Sequence, residues 1–245
     1  MSALRSLAAL LAVVAVLVGL VAAAEWFARG QVEAVVGDVV SRELGQVADP
    51  GEELQDVTAS VRGSVLLGLA RGRFEGLDVT TGAGQVQGVP VRALEVRADG
   101  VATDGSTAGS LTATVRAEAG AALSTQLQGE DQAELAQAVL TGTTALPPDR
   151  LQVQAPFEVP VLGSVPVEVV LQLRVEEGRL LVEPVEARAA GLDLDLDRTD
   201  TLRAFGVDDE LPDGVDVSAV SVVDEGGTAV VVAELVCDDG CPFGR

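Results

Sequence analysis

The sequence predicts an α+β protein built mainly from antiparallel strands. Through most of residues 151–189, apolar side chains occupy every second position, and a period of two places them on one face of a strand. The segment Val165–Val175 alone would extend about 36 Å, which is long against a usual strand of about five to six residues. Strands that follow one another without regular intervening helices favour an antiparallel α+β fold. Their continuous apolar faces indicate a surface that either packs on something elongated or holds it.

Composition excludes several classes of function. The chain has 245 residues, enough for one large or two small domains, and 48% of them are hydrophobic although only 2% are aromatic. It contains no histidine, lysine, tyrosine or asparagine, so all 16 cationic side chains are arginines. Without histidine and lysine, the chain cannot build a Ser-His-Asp triad, an imidazole metal ligand, a Schiff base or a Walker lysine. Carboxylate-only chemistry, as in glycan hydrolysis, remains possible, but no motif points to it. We expect no catalytic residues, no cofactor and no enzyme.

The net charge of −22 bears on the partners of the chain. Nucleic acid is bound mainly through lysine and arginine side chains that neutralise phosphates, so we expect no nucleic-acid partner. The charge also argues against docking on anionic lipid through a basic patch. The excess of carboxylates is best explained by a solvated surface.

An uncharged and almost wholly apolar segment, Leu7–Ala24, follows Arg5. As a helix, its 18 residues would span about 27 Å, just enough for the hydrocarbon core of a bilayer. Two alternatives remain open: a signal peptide with the small residues Ala22–Ala24 at its cleavage site, or an uncleaved anchor with Trp26 and Phe27 at the membrane interface. Both predict that the remainder of the chain is exported.

Residues 26–45 predict an amphipathic helix, because apolar residues recur at the spacing of one helical face. The residues of that face are Val32, Val35, Val36, Val39, Val40 and Leu44. Either this is a core helix that caps the sheet, or it lies along the apolar sheet face and forms one wall of a cavity. The sequence Asp49-Pro50-Gly51 ends the helix.

The next segment predicts a short strand and then a short apolar turn. Val57, Ala59 and Val61 alternate with polar residues, and the apolar segment Val65–Ala70 follows. This segment is too short to span a membrane, so it is either a buried helical turn or an exposed apolar tip that dips into lipid headgroups. Of the two, we expect burial.

Two longer strands are predicted in the middle of the chain. Over residues 89–101 the apolar residues shift from odd to even positions, which predicts a β-bulge near Ala93 and Leu94. Residues 111–127 alternate on small side chains, which leave space on an inward face rather than fill it. Residues 130–140 predict a short helix with acids in its first turn.

The C-terminal part predicts a last hairpin, with strands at 215–223 and 228–236. Aspartates alternate with leucines over residues 191–197. Carboxylates at this strand spacing are about 7 Å apart and do not converge on one ion, so they indicate a solvated face. Cys237 and Cys241 predict a disulfide in an exported protein, since a zinc site needs four ligands and the chain has no histidine. We expect no metal site.

Several features recur together in one known family. They are the N-terminal apolar segment and amphipathic helix, the stretch Val57–Val79 with its Val-Leu-Leu-Gly-Leu-Ala core, the Val-Pro-Val hairpin with its Glu-Gly turn, and the final Gly-Gly hairpin. In this order they resemble the LmeA-type phospholipid-binding family of actinobacterial cell envelopes. The resemblance covers roughly residues 25–236, and the tail at 237–245 lies beyond it. It implies a fold like the lipid-binding TULIP domains: a long, curved antiparallel β-sheet wrapped around an amphipathic helix, enclosing an apolar cavity.

The resemblance implies an exported, non-catalytic phospholipid-binding protein of the cell envelope, a carrier or sensor that holds acyl chains in an apolar tunnel. Its partner would be a phospholipid or a related envelope lipid, on the extracytoplasmic side. Residues 1–24, as signal peptide or anchor, would provide contact with the membrane. The alternative is a membrane-anchored scaffold domain that has no lipid ligand and presents its sheet edge to a protein.

The predicted tunnel lining combines the amphipathic helix with alternating strand positions. It consists of Val32, Val35, Val36, Val39, Val40, Leu44, Leu77, Val79, Leu94, Val96, Val167, Val169, Leu171 and Leu173. The lipid phosphate would lie at the mouth of the tunnel. Arg62, Arg71 and Arg73 are the candidates for contact with it, because a guanidinium group suits a phosphate.

Overall fold

The structure is a computed structural model. It describes residues 24–37, 56–86, 89–126, 139, 142–159, 163–189, 192–193 and 214–242. This part of the chain is mostly antiparallel sheet with few helices. The predicted segment Leu7–Ala24 lies outside the described residues apart from Ala24, and the predicted helix at 130–140 lies outside them apart from Val139. Among the helices of the described residues, none is long and apolar enough to cross a membrane.

The larger of two open sheets runs β1-β2-β4-β5-β12-β11, with the short β3 paired to β4, and its strand pairs are all antiparallel. Its strands are β1 (Thr58–Arg62), β2 (Arg73–Thr81), β3 (Gly84–Val86), β4 (Val89–Ala102), β5 (Thr107–Glu118), β11 (Asp216–Glu225) and β12 (Thr228–Pro242). The last two strands are the predicted C-terminal hairpin, which is confirmed.

The smaller sheet has the order β10-β9-β8-β7-β6. Its strands are β6 (Thr143–Leu146), β7 (Arg150–Val159), β8 (Gly163–Glu176), β9 (Arg179–Ala189) and β10 (Leu192–Asp193). The long alternating strands predicted over residues 151–189 are thereby confirmed. The turn between β8 and β9 holds Glu177 and Gly178 at φ values of 52° and 77°, a region that glycine enters without steric cost.

Helices α1 (residues 24–37), α2 (Val65–Arg71) and α3 (Ala119–Gln126) accompany the sheets, and Val139 and Gly142 are also helical. The prediction that the strand at 111–127 continues past residue 118 is wrong, because α3 begins at Ala119. The apolar residues there are alanine and leucine, which are strong helix formers, and Thr125 is the one β-branched residue of α3. As a helix, α3 buries Ala119 and Leu123, which are four positions apart on one face.

The β-bulge predicted near Ala93 and Leu94 is present in β4. The pairing of β4 with β5 shifts between Val91 and Ala93. The shift lets Val91 and Leu94 both take apolar positions although they differ by an odd number of residues.

Buried apolar side chains form two separate clusters. The helix-side cluster lies where α1 and α2 meet the larger sheet, and its buried members are Val61, Val65, Phe74, Leu77, Val79, Ala98, Val101, Ala108, Cys237 and Cys241. The sheet-interface cluster lies where the smaller sheet meets β11, β12 and α3. Its buried members are Ala119, Leu123, Val139, Leu151, Val153, Val167, Val169, Leu171, Leu173, Val182, Ala187, Val222 and Ala229.

Backbone hydrogen bonds fix the two sheets to each other along β11. The N–H of Val222 donates to the carbonyl of Pro148 at 2.7 Å, and the N–H of Val217 donates to the carbonyl of Gly178 at 2.7 Å. Both acceptors belong to turns of the smaller sheet.

Polar side chains of α1 form hydrogen bonds with the backbone of β1. Arg29 Nη1 donates to the carbonyl of Val61 at 2.8 Å, and the N–H of Val61 donates to Glu33 Oε1 at 3.2 Å. The same helix packs Ala28, Val32 and Val36 against the helix-side cluster. Helix α1 is therefore bound to the first strand by both polar and apolar contacts.

Candidate functional site

Strand register gives the larger sheet one apolar face. Val115 of β5 is paired with Leu94 of β4 on one side and with Ala233 of β12 on the other. Ala113 is paired in the same way with Val96 and Leu235. Side chains paired directly across antiparallel strands share a face, so these apolar residues lie together.

The opposite face of the same strands is polar. There Thr114 is paired with Glu95 and Glu234, and Thr112 is paired with Arg97. The contrast between the two faces is typical of an antiparallel sheet with one solvated side.

Part of the apolar face is neither exposed outright nor packed into a cluster. Leu94, Val115, Ala233 and Leu235 are each partly exposed, and none of them belongs to either cluster of the described residues. They lie between the helix-side cluster and the sheet-interface cluster and cross β4, β5 and β12. We call these four residues the open strip. A contiguous apolar patch on a protein surface can serve as a ligand-binding or interaction site.

The predicted tunnel lining does not come together as one set. Leu77 and Val79 are buried in the helix-side cluster, where Val32, Val36 and Val96 pack beside them. The second group predicted to line the tunnel, Val167, Val169, Leu171 and Leu173, is buried in the sheet-interface cluster instead. Within the open strip the predicted set contributes only Leu94.

Helix α1 has a narrower buried face than its sequence predicts. Val35 does not share that face: 61% of its surface is exposed, and it is not among the residues that pack on the helix-side cluster. The contacts run instead along residues four apart, Ala28, Val32 and Val36. The remaining predicted residues of this helix, Val39, Val40 and Leu44, lie outside the described residues.

The three headgroup candidates occupy different surroundings. Arg62 is bonded to carboxylates of the polar face: its Nη2 lies 2.6 Å from Asp99 Oδ1 and its Nε lies 3.1 Å from Asp78 Oδ1. The Nη2 of Arg62 also donates to the carbonyl of Ala98. Arg71 and Arg73 are exposed, and neither forms an ion pair with a carboxylate of the described chain. Among the described residues, Arg71 and Arg73 thus have no carboxylate partner, whereas Arg62 has two.

A second cluster of charged side chains lies at one end of the larger sheet. Glu225 is ion-paired with Arg116 and with Arg92, whose Nη1 lies 3.3 Å from Glu225 Oε2, and Arg92 also binds Glu118 at 3.0 Å. The hydrogen bond from Arg116 holds the pKa of the Glu225 carboxyl below its usual range. Every charge in this cluster is matched, which is typical of a structural network. The described residues hold no group of three or more acidic or cysteine side chains placed to bind a metal ion.

Cys237 and Cys241 are joined by a disulfide and are both buried in the helix-side cluster. Cys237 is paired with Leu111 of β5, and Cys241 is paired with Ala108. The cysteines therefore lie within the sheet.

Three members of the open strip were not singled out in the sequence: Val115, Ala233 and Leu235. Val115 lies in an alternating segment, which predicts its side of the strand, whereas Ala233 ends the continuous apolar run Ala229–Ala233, where no alternation marks a face. The position of all three residues beside Leu94 depends on the pairing of β5 with both β4 and β12, which no local pattern reports.

The fold and the open strip define a β-rich protein in which, among the described residues, part of one apolar sheet face is not packed into either cluster. A family model described as LmeA-like phospholipid-binding matches residues 23–230. The chain therefore belongs to the LmeA-like phospholipid-binding family, and the resemblance read from its sequence is confirmed. Neither the curated proteins nor the solved structures yielded a match.

Proposed function

We propose that the protein is an exported, non-catalytic phospholipid-binding protein of the cell envelope that holds acyl chains against the open strip. One observation carries this proposal: in a member of a phospholipid-binding family, four in-register apolar side chains remain partly exposed between two packed clusters. An acyl chain laid over them would complete the apolar layer that the described protein side chains leave incomplete.

The energy of such binding comes from apolar burial. Removing one methylene from water is worth about 0.8 kcal/mol, and a bilayer offers the same gain. The protein therefore competes with a membrane only if its own surface keeps water away from the chain. The open strip fits this need because Val96 and Leu111 continue it into the helix-side cluster, and Val220 and Val231 continue it into the sheet-interface cluster.

Export and headgroup contact complete the proposal. The uncharged segment Leu7–Ala24 supports transfer across a membrane, whether it is then cleaved or kept as an anchor. Arg71 and Arg73 are the arginines we propose for contact with the lipid phosphate. The lack of histidine and lysine throughout the chain supports a role in binding rather than catalysis.

The test places a bulky, uncharged side chain on the open strip. In Ala233→Trp an indole ring would lie over Val115, where we place the acyl chain, while Thr114→Trp puts the same ring on the polar face of the same sheet. If the ring excludes two methylenes, the affinity for phospholipid falls by about 1.6 kcal/mol, or about 15-fold. Binding is measured as uptake of a fluorescent phospholipid, and as lipid that copurifies with protein prepared without detergent.

Equal urea midpoints for the two variants would establish that Ala233→Trp remains folded. Unchanged uptake by Ala233→Trp, with Thr114→Trp behaving in the same way, would exclude the open strip as the binding surface. Wild-type protein that is lipid-free and takes up no phospholipid would exclude the function itself and favour the scaffold alternative.

A further inference from the structure

The N-terminal end of α1 and the helix α2 expose large apolar side chains. Trp26 and Phe27 of α1 have 78% and 64% of their surfaces exposed, and Leu66, Leu67 and Leu69 of α2 have 37%, 43% and 50% exposed. We call these five residues the apolar tip. The prediction that the segment Val65–Ala70 is buried is therefore only partly right, since Val65 and Gly68 are buried and the three leucines are not.

Hydrogen bonds hold the two parts of the apolar tip together. The carboxylate of Glu25, the residue before Trp26, accepts from the N–H of Val65 at 2.5 Å, from the N–H of Leu66 at 3.1 Å and from Ser64 Oγ at 2.9 Å. The first turn of α1 is thus attached to the first turn of α2. The aromatic and aliphatic members of the apolar tip are consequently neighbours in space, although 38 residues separate them in the sequence.

The capping of α2 does not depend on the apolar side chains of Leu66, Leu67 and Leu69. The first turn of α2 is capped by Ser64, whose side chain accepts from the N–H of Leu67, and its C-terminus ends at Gly72 in the left-handed conformation. Val65 and Gly68 are the buried residues of this helix. Leu66, Leu67 and Leu69 keep between 37% and 50% of their surfaces exposed.

We propose that the apolar tip inserts into the interfacial region of a lipid bilayer. The segment Leu7–Ala24, uncharged over 18 residues, ends at the first residue of α1, two positions before Trp26. A membrane that holds this segment would therefore lie against the tip. Tryptophan and phenylalanine suit the membrane–water interface, and exposed Arg71 at the end of α2 suits the phosphate level.

This orientation also agrees with the charge of the chain. A protein with a net charge of −22 is repelled by an anionic membrane as a whole, so it approaches best through an end that is apolar. The inference goes beyond lipid binding at the open strip. It rests on the proposed export of the chain but not on a lipid bound to the sheet.

The test places a probe at one residue of the tip. Both native cysteines are joined in the disulfide, so a cysteine introduced by Leu67→Cys is the only free thiol and accepts a polarity-sensitive fluorophore. Leu192→Cys is the matched control, because Leu192 is 72% exposed and lies in the smaller sheet. The full chain is reconstituted in vesicles of phosphatidylcholine and phosphatidylglycerol, with and without bromine on the acyl chains.

We expect the probe at 67 to move to shorter emission wavelength and to be quenched by brominated lipid, while the probe at 192 stays in water. Trp26, the only tryptophan of the chain, should be quenched in the same vesicles. Leu69→Glu should lower the quenching at 67 about tenfold, because a charge at the interface opposes insertion.

A probe at 67 that stays aqueous in vesicles would overturn the proposal. So would a wavelength shift that needs no lipid and grows with protein concentration, because that outcome assigns the tip to a second copy of the chain.

The Ala233→Trp variant separates this inference from the proposed function. If quenching at 67 persists in a variant that takes up no phospholipid, the signal comes from the bilayer and not from lipid carried on the sheet. If quenching disappears together with uptake, the apolar tip does not dock independently and the inference fails, while lipid binding at the open strip stands.

Discussion

The contact between α2 and Phe74 allows a quantitative test of the packing that positions the apolar tip. A Cβ atom added to Gly68 would lie 2.6 Å from Cδ1 of Phe74 and 3.3 Å from the carbonyl oxygen of Arg73. Real Cβ atoms essentially never approach another heavy atom to 2.6 Å, so Gly68→Ala requires the ring or the helix to move. The ring has little room, because Phe74 is only 8% exposed within the helix-side cluster.

Two opposing terms set the expected change in the free energy of unfolding. Alanine in place of glycine in a helix stabilises by about 1 kcal/mol through propensity alone. Forcing an extra carbon into a filled contact costs about 1–3 kcal/mol. We expect Gly68→Ala to destabilise the protein by up to about 2 kcal/mol. At Gly30 of α1, an added Cβ meets nothing within 4 Å, so Gly30→Ala should retain the gain of up to about 1 kcal/mol.

Urea unfolding followed by circular dichroism measures both variants. The cause is isolated by repeating Gly68→Ala in a Phe74→Val background, which removes the ring atoms that the new methyl would meet. There the penalty should disappear, leaving a coupling energy of at least about 1 kcal/mol. The reasoning is refuted if Gly68→Ala is as stable as Gly30→Ala, or if the penalty survives the loss of the ring.

Two further predictions concern the cap of α2 and the sheet-interface cluster. The N–H groups of Leu66 and Val65 hold the pKa of the Glu25 carboxyl below its usual range, so the stabilisation is present near neutral pH and is lost as the pH falls through the folded-state pKa. Between about pH 5 and pH 3 the urea midpoint of the wild type should fall more than that of Glu25→Gln, and parallel curves would contradict this. Leu171→Ala, at a side chain only 2% exposed, should lower the free energy of unfolding by about 2–5 kcal/mol. Leu192→Ala, at 72% exposure, should change it by at most about 0.5 kcal/mol, and similar losses for both would contradict the burial argument.

The presence of most strands could be predicted from the sequence because it depends on local patterns. The long strands around Val169 follow from a period of two, and the last hairpin follows from two apolar segments separated by the turn at Gly226 and Gly227. The β-bulge in β4 was readable for the same reason, since a change of face within one strand is itself a local signal.

The contacts of individual side chains were harder to predict from the sequence, because they depend on strands that are distant in sequence. Val79 and Val169 carry the same pattern but are buried in different clusters. Arg62 is a predicted headgroup contact, but the pairing of β1 with β2 places it beside Asp78 and Asp99. The start of α3 at Ala119 was missed because alternation on alanine suits either a strand or a helix.

The bonding of β1 and β11 has a consequence for how other polypeptides can approach the larger sheet. These are its two outermost strands, and a foreign strand could extend the sheet only by pairing with their free backbone groups. At Val61 both backbone groups are bonded to Arg29 and Glu33, and the N–H groups of Val217 and Val222 donate to the carbonyls of Gly178 and Pro148. Recruitment of a partner by strand addition would first have to displace native bonds. A receptor or a second copy is therefore better received on a side-chain surface than at either margin of this sheet.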